Sequence, residues 1–242
     1  MKGVVLAGGL GTRLRPLTLI TNKHLLPVYN RPMISYPIET LRRAGITEIM
    51  IVCGREHVGH FINFLGSGKE SGVKLSYAVQ DKNNGGIADA LSYAEDFADN
   101  EGIAVILGDN IFEDSFEKSV KTFAGGAHIF IKKVKDPKRY GVPVFDATGK
   151  KIVKIEEKPK KPKSNYAQTG LYILDNKIFS FINKLEPSKR GEMEITDAIN
   201  LYVRDGAINF STVSGQWYDA GTIESLLEAG VEIRKKEILL KK

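Results

Sequence analysis

The segment after the first apolar run combines glycines with positive charge, and reads VVLAGGLGTRLRPLTLITNKHLLP. Gly8, Gly9 and Gly11 allow the backbone to come close to a phosphate and to turn its N–H groups towards it. Arg13 adds a rigid fork of donors that suits phosphate oxygens, whereas Lys23 adds a mobile point charge. The segment is therefore suited to hold a triphosphate, although spacing alone fits a glycine turn with solvated arginines equally well.

Two standard phosphate-binding patterns do not describe this loop. The dinucleotide fingerprint needs a glycine three residues after Gly11, where this chain has Leu14. The Walker pattern needs lysine directly after the glycine, and here Thr12 and Arg13 follow. The loop therefore matches neither of these two kinds of nucleotide site.

The elements that must position these residues alternate along the chain. Apolar runs of strand length, such as KGVVLA, EIMIVC and IAVILGD, are separated by amphipathic stretches of helical period. This pattern predicts an α/β fold: a Rossmann-like three-layer α/β/α sandwich with a mixed, mostly parallel sheet. After about Lys135 the segments YGVPVFD and KKIVKIEEK predict a small antiparallel excursion. We expect a single domain over residues 1–242, with the glycine loop at the carboxyl ends of the strands.

Composition narrows the classes of partner. The net charge of +6 fits polyanionic ligands, but the basic residues form no recognisable nucleic-acid docking motif. The charged stretches EEKPKKPK and RKKEILLKK are typical of solvated surface. One cysteine, Cys53, and no long apolar span predict neither disulfides nor membrane insertion, and point to a cytoplasmic location. Assembly into a homo-oligomer stays open.

A set of ordered motifs carries a family resemblance. LAGGLGTRLRPLT and NKHLLPVYNRPMI are followed by LGDNIF, DPKRYGV, EEKP, KSNYAQTGLYILD, RGEMEITDAI and WYDAGT, which span nearly the whole chain. Together they resemble the sugar-nucleotide nucleotidyltransferases, above all members that use dTTP and glucose 1-phosphate. The resemblance implies that an oxygen of the sugar phosphate attacks the α-phosphorus of the nucleotide, giving dTDP-glucose and pyrophosphate. No serine, cysteine or histidine nucleophile is needed.

The resemblance also implies catalytic roles for charged residues. Arg13 would contact the departing pyrophosphate, Lys23 the α-phosphate and Lys158 the phosphate of the sugar. Asp109 follows the apolar run IAVILG and Asp219 follows WY. Both correspond to metal ligands in the family, and two carboxylates with phosphate oxygens suit Mg²⁺.

Two binding sets complete the expected site. The nucleotide set comprises Leu6, Gly8, Gly9, Gly11, Thr12, Arg13, Gln80, Gly86 and Asp109. The set for the sugar phosphate comprises Tyr140, Gly141, Glu157, Lys158, Arg190 and Trp217. Of these, Trp217 is equally compatible with a place in the core.

The chain departs from the family pattern at several positions. His24 stands where glutamine is usual, Gln168 where an apolar residue is common, and Asp89 where glutamine is frequent. The segment QDKNNGGIADA is also longer than its usual form, which leaves the choice of base open. The alternatives are a transferase using UTP or another nucleotide with another hexose 1-phosphate, and a non-catalytic nucleotide-sugar-binding regulatory protein. Longer relatives carry a regulatory nucleotide site in further helices, and we expect this chain to lack it.

Overall fold

The computed structural model describes residues 1–82 and 85–240. Its strands are β1 Lys2–Ala7, β2 Pro27–Val28, β3 Arg31–Pro32, β4 Glu48–Gly54, β5 Lys74–Gln80, β6 Ile103–Leu107, β7 Asn110–Phe112, β8 Ala127–Lys133, β9 Gly141–Phe145, β10 Ile152–Glu157, β11 Tyr166–Leu174, β12 Ile208–Thr212 and β13 Trp217–Asp219. Its α-helices are α1 Ser35–Arg43, α2 Val58–Leu65, α3 Gly86–Ser92, α4 Glu95–Ala98, α5 Glu117–Lys121, α6 Lys177–Ile182, α7 Ile195–Arg204 and α8 Ile223–Leu240.

The central sheet has seven strands in the order β12-β8-β11-β6-β1-β4-β5. Strands β6, β1, β4 and β5 pair in parallel, as do β12 and β8. Strand β11 runs antiparallel to both of its neighbours, β6 and β8. The predicted mixed, mostly parallel sheet is therefore confirmed.

The strands of the sheet carry apolar side chains on both faces, and both faces are therefore buried. In β1, Val4 and Leu6 belong to one core, whereas Val5 and Ala7 belong to the other. The first core is closed by α3, α6 and α7, and the second by α1 and α2. Alternate side chains of one strand thus pack against helices on opposite faces of the sheet. The predicted three-layer sandwich is confirmed.

The predicted antiparallel excursion is the hairpin of β9 and β10. Its register pairs Gly141 with Glu157 and Pro143 with Ile155. Proline lacks a backbone donor, and this two-stranded ribbon tolerates it. The register brings the DPKRYGV and EEKP motifs side by side, although they are distant in sequence.

Two features were not apparent from the sequence pattern. Strand β11 lies in the middle of the sheet and runs against it, which apolar content alone does not reveal. Helix α8 buries Ala229 in a small third core with Val28, Met33 and Tyr36, while Lys235 and other basic residues of its last turns are exposed. Within residues 1–82 and 85–240, no helix has the length and apolarity needed to cross a bilayer.

One buried hydroxyl gives a test of the packing between α7 and the end of β11. Tyr202 is fully buried, and its hydroxyl donates to Oδ1 of Asp175 at 2.7 Å. We expect Tyr202→Phe to lower the free energy of unfolding by about 1 to 2 kcal/mol, because a buried hydrogen bond is lost. Urea unfolding followed by circular dichroism measures this. The control Tyr29→Phe, at a residue 40% exposed, should change stability by less than about 0.5 kcal/mol; equal effects would contradict the prediction.

Candidate active site

A cavity of about 610 Å³ opens beyond the carboxyl ends of β1, β5 and β6. This is where ligands bind in doubly wound sheets. Most of the side chains and glycines predicted to form the site line it: Leu6, Gly8, Gly9, Thr12, Arg13, Lys23, Gln80, Gly86, Asp109, Tyr140, Gly141, Glu157, Lys158, Arg190, Trp217 and Asp219.

Gly11 is the predicted nucleotide-binding residue that does not line the cavity. Its φ of +60° is a left-handed conformation, and a Cβ there would come within 2.9 Å of Thr18 and 3.1 Å of Lys23. Gly11 thus shapes the turn behind Lys23. Its part in binding a nucleotide stays a prediction.

Pairing of two short strands brings the distant aspartates together. Strand β13 runs antiparallel to β7, with Asp219 opposite Asn110. The backbone N–H of Ala220 also donates to the carbonyl of Asp109 at 2.9 Å. Asp109 and Asp219 therefore lie next to each other at the end of the sheet.

The carboxylates converge on one point beside Gly221. A Cβ on that glycine would lie 2.9 Å from Oδ1 of Asp219, 3.3 Å from Oδ2 of Asp109 and 3.0 Å from Nη2 of Arg13. Carboxylate oxygens in this arrangement fit Mg²⁺, which takes one or two carboxylates together with phosphates and water. In the described part of the chain, no cluster of three or more acidic, histidine or cysteine side chains could hold a metal by itself. The donor set thus fits a metal shared with a substrate.

An ion pair holds Asp109 in its charged form. Nζ of Lys23 lies 2.6 Å from Oδ2 of Asp109, whose side chain is only 8% exposed. Burial is the largest single influence and would raise the pKa of Asp109, but the charge of Lys23 and hydrogen bonds from Lys23 and Asn110 together lower the pKa well below its usual range. Burial and the neighbouring charge of Asp109 instead raise the pKa of Asp219. A cation between the two carboxylates would relieve this repulsion.

His24 lies beneath this pair as a neutral ring. It is 1% exposed, and burial together with the charge of Lys23 lowers its pKa from 6.5 to about 3. Oδ1 of Asn22 accepts the backbone N–H of His24 and lies 2.8 Å from its Nδ1. The ring therefore fills space and fixes the loop without adding a second positive charge beside Lys23.

Asn110 ties three parts of the site together. Its Nδ2 donates to Oδ1 of Asp109 at 3.0 Å, and its Oδ1 accepts from Nε1 of Trp217 at 2.7 Å and from the N–H of Gly170 at 2.9 Å. It is only 2% exposed, so these bonds are shielded from water. Trp217 is thereby fixed at the wall of the cavity, and its ring centroid lies 5.2 Å from that of Tyr140.

The other end of the cavity carries a network of mixed charge around Glu157. Thr196 donates to Oε2 of Glu157 at 2.6 Å, while Nη2 of Arg190 and Nζ of Lys158 lie 3.4 Å and 3.5 Å from Oε1. Arg190 also pairs with Oε1 of Glu194 at 2.7 Å. Two cations here face the cavity with a carboxylate between them, an arrangement suited to an anion that also has hydroxyl groups.

Lys158 and Tyr140 are positioned by the backbone of the hairpin. The N–H of Lys158 donates to the carbonyl of Tyr140 at 3.0 Å. Lys158 has a φ of +43°, a left-handed conformation that is costly for a residue with a side chain and is concentrated at functional sites. Burial and the nearby Asp219 raise the pKa of Tyr140 to about 12, so its phenol stays protonated and can donate.

Gln80 marks a third region, close to the glycine loop. It ends β5 and is 5% exposed. Its Oε1 lies 2.6 Å from the position of a Cβ on Gly8, so only glycine leaves room for it there. The residues Asn83 and Asn84 of the segment QDKNNGGIADA lie outside the described residues.

Sequence reasoning missed several residues that line the cavity. They share one property, which is that each stands inside a motif quoted for another residue: Asn110, Arg139, Tyr172, Glu194 and Thr196. Their presence in these motifs was therefore the sequence signal that could have indicated that they line the cavity. Their partners could not be read from it, because Thr196 contacts Glu157 and Asn110 contacts Trp217 across long sequence distances.

The model of the nucleotidyl transferase family matches residues 2–236. The chain belongs to this family. The resemblance carried by the ordered motifs is thus confirmed over nearly the whole chain, and the cavity is the candidate active site of a nucleotidyl transferase.

Curated relatives of this nucleotidyl transferase are similar to it over nearly the whole chain. It is 44% identical to the glucose-1-phosphate thymidylyltransferase of Neisseria meningitidis, over 95% of this chain and 81% of the relative. It is 43% identical to the protein of that name from Mycolicibacterium smegmatis, over 98% of this chain and 84% of the relative.

Solved structures show the same fold. A Bacillus anthracis protein in complex with sucrose, provisionally assigned as a glucose-1-phosphate thymidylyltransferase, is 51% identical with a TM-score of 0.91, over 97% of this chain and 95% of that one. A UDP-glucose pyrophosphorylase complexed with UDP-glucose is 28% identical with a TM-score of 0.84, over 97% and 98%. This nucleotidyl transferase thus shares its architecture with proteins named for a thymine nucleotide and with proteins named for a uracil nucleotide.

The buried His24 makes the stability of the enzyme depend on pH. Its pKa falls from 6.5 to about 3 on folding, so below pH 6.5 the unfolded chain binds a proton that the folded chain does not. Stability is then lost as the pH falls from 6.5 towards 3, by up to about 1.4 kcal/mol per pH unit. His24→Gln should remove this component of the slope. Urea unfolding between pH 7 and pH 4.5 measures it.

The matched control is His60→Gln, at an exposed residue. It should leave in place the loss of stability at low pH that is assigned to His24. Comparison of slopes, and not of absolute stabilities, separates the titration from any repacking at position 24. Parallel curves for wild type and His24→Gln would contradict the prediction.

Proposed function

We propose that this enzyme transfers a thymidylyl group from dTTP to glucose 1-phosphate, forming dTDP-glucose and pyrophosphate. The observation that carries the proposal is that one cavity is lined by two groups of cationic side chains, Lys23 and Arg13 beside Asp109 and Lys158 and Arg190 beside Glu157. Relatives of that name at 43% and 44% identity support the choice of substrates.

The triphosphate fits the end formed by the glycine loop. Gly8 and Gly9 line this end without side chains that would block the approach of phosphates. Arg13 takes the β- and γ-phosphates, which leave as pyrophosphate. Lys23 takes the α-phosphate and stabilises the charge that develops on it.

Glucose 1-phosphate fits the end formed by the hairpin. Lys158 binds its phosphate, with Arg190 close by. The carboxylate of Glu157 accepts hydrogen bonds from sugar hydroxyls, and the protonated phenol of Tyr140 donates one. Trp217 forms the wall against which the sugar ring lies.

The reaction requires no covalent step on the protein. An oxygen of the sugar phosphate forms a bond to the α-phosphorus, and the bond from that phosphorus to the bridging oxygen breaks. The electron pair leaves with pyrophosphate, and no proton is transferred. Holding the two anions in line can account for about 7 to 11 kcal/mol of barrier reduction, which suits a site built from positioned cations.

Mg²⁺ would be held by Asp109 and Asp219, together with phosphate oxygens. The convergence of their carboxylates beside Gly221 supports this assignment. When bound, the ion would neutralise phosphate charge and orient the triphosphate. Lys23 now pairs with Asp109, so binding of the ion would free this lysine for the α-phosphate.

UTP is the second candidate nucleotide. Uracil differs from thymine by one methyl group, which a pocket distinguishes only modestly. The likeness to a structure complexed with UDP-glucose favours this candidate. Pyrophosphate release measured with dTTP, UTP, dCTP and GTP against several hexose 1-phosphates decides between them, and no release with any pair would instead favour a regulatory sugar-nucleotide-binding protein.

Asp109→Asn tests the proposed metal site. The change removes the charge that would hold the ion and also the partner of Lys23, so we expect a loss of at least about 100-fold in kcat/KM at saturating Mg²⁺. The assay is pyrophosphate release from dTTP and glucose 1-phosphate. Asp136→Asn, at an exposed capping residue outside the cavity, is the control and should keep full activity. Retention of Mg²⁺-dependent turnover by Asp109→Asn would refute the assignment.

Lys158→Met tests the division of the cavity into two ends. Loss of this cation should raise the KM for glucose 1-phosphate about tenfold or more, because a charge-assisted bond to the phosphate is removed. The KM for dTTP should stay within about twofold. Lys160→Met changes an exposed lysine two positions away and should alter neither value. A larger effect on dTTP than on the sugar phosphate would overturn the arrangement.

A further inference from the structure

The side-chain amide of Gln80 has a defined orientation. Its Nε2 donates to Oδ2 of Asp89 at 2.7 Å and points towards the carbonyl of Gly86 at 3.5 Å. Its Oε1 lies on the opposite side, next to Gly8, and Gln80 lines the cavity. Among the described residues, no protein group donates to this oxygen.

The surroundings leave only one orientation of this amide. The amino group of glutamine donates hydrogen bonds, and both the carboxylate of Asp89 and the carbonyl of Gly86 are acceptors for it. The amino group of Gln80 must therefore face Asp89 and Gly86, and the carbonyl must face the cavity. The opposite orientation would set oxygen against oxygen and leave the amino group unpaired in a buried place.

Two consecutive glycines make room for this contact. A Cβ on Gly85 would lie 2.0 Å from Oδ2 of Asp89, so any side chain there would displace the carboxylate. A Cβ on Gly86 would lie 2.5 Å from the carbonyl oxygen of Met193, and Gly86 has a φ of +89°. The backbone of Met193 is bonded on both sides, to Gly85 and to Ala88. The start of α3, and with it Asp89, is thereby fixed against a neighbouring segment.

We propose that Asp89 is a positioning residue that determines base specificity by fixing Gln80 with its carbonyl towards the nucleotide. An acceptor at this point pairs with a base that carries a ring N–H. Thymine and uracil have such a group at N3, whereas cytosine has an unprotonated acceptor nitrogen there. The inference rests on the proposed function, since it assumes that the base lies against Gln80 in the same cavity.

Nucleotide binding without sugar tests this inference separately from catalysis. Calorimetry with Mg²⁺ gives the Kd of dTTP, dCTP and N3-methyl-dTTP for the wild type, Asp89→Asn, Gln80→Leu and the double variant. Asp96→Asn is the matched control, at an exposed aspartate of the following helix α4. Thermal unfolding of each variant shows that it is folded.

The wild type should bind dTTP at least about tenfold more tightly than dCTP or N3-methyl-dTTP. In Asp89→Asn the new amide can donate to Gln80, which is then free to turn its amino group to the base. The preference for dTTP over dCTP should fall about tenfold, with dCTP binding gained as well as dTTP binding lost. Asp96→Asn should keep the wild-type preference.

The double variant shows whether Asp89 acts through Gln80. In the Gln80→Leu background, Asp89→Asn should not change the remaining preference. An unchanged dTTP to dCTP ratio in Asp89→Asn, or an equal effect with and without Gln80, overturns the inference. If the binding preferences follow expectation but no pyrophosphate is released from dTTP and glucose 1-phosphate, the proposed reaction fails and the role of Asp89 stands.

Discussion

The site is built around repulsion between two carboxylates that the fold holds together. Asp109 and Asp219 are both largely buried and approach the same point beside Gly221. Like charges in such a place repel strongly, and the pKa values of the two groups are pushed in opposite directions. Pairing of β7 with β13 nevertheless fixes their separation. Lys23 and Arg13 supply positive charge beside these carboxylates, and in the proposed reaction a metal bound with the substrate would add to it.

The sheet and the hairpin contribute differently to this site. Strands β1, β5 and β6 share one direction and deliver the glycine loop, Gln80 and Asp109 to one edge. The hairpin of β9 and β10 lies outside the main sheet and carries Gly141 and Glu157, with Tyr140 and Lys158 directly beside it. Each group of cavity side chains thus has its own structural support, while Asn110 and Trp217 connect the two. This arrangement suits the proposed reaction, because each of two anionic reactants would have its own cations.

Parts of the site that depend on neighbouring residues could be predicted from the sequence, whereas contacts between residues distant in the sequence could not. The glycine loop and Asp109 could be located from local pattern, since each directly follows a buried strand. Asp219 and Lys158 could be assigned only through resemblance to the family. Asp219 is brought to its place by β13, a strand of only three residues, and Lys158 is placed by the register of the β9–β10 hairpin. Strands so short have no readable period, and the contact between Gln80 and Asp89 depends on a side-chain orientation that no pattern encodes.

Two glycines beside the site leave no room for a side chain, so the site does not tolerate substitution equally at all positions. A Cβ on Gly108 would come within 2.5 Å of His24, and one on Gly170 within 2.6 Å of Asn110. Substitution at either glycine would displace a buried group that supports the aspartates. A change of ligand preference that leaves the proposed metal ligands in place therefore has to come from side chains that are already present, such as Asp89 and Gln168, and not from side chains added at these glycines.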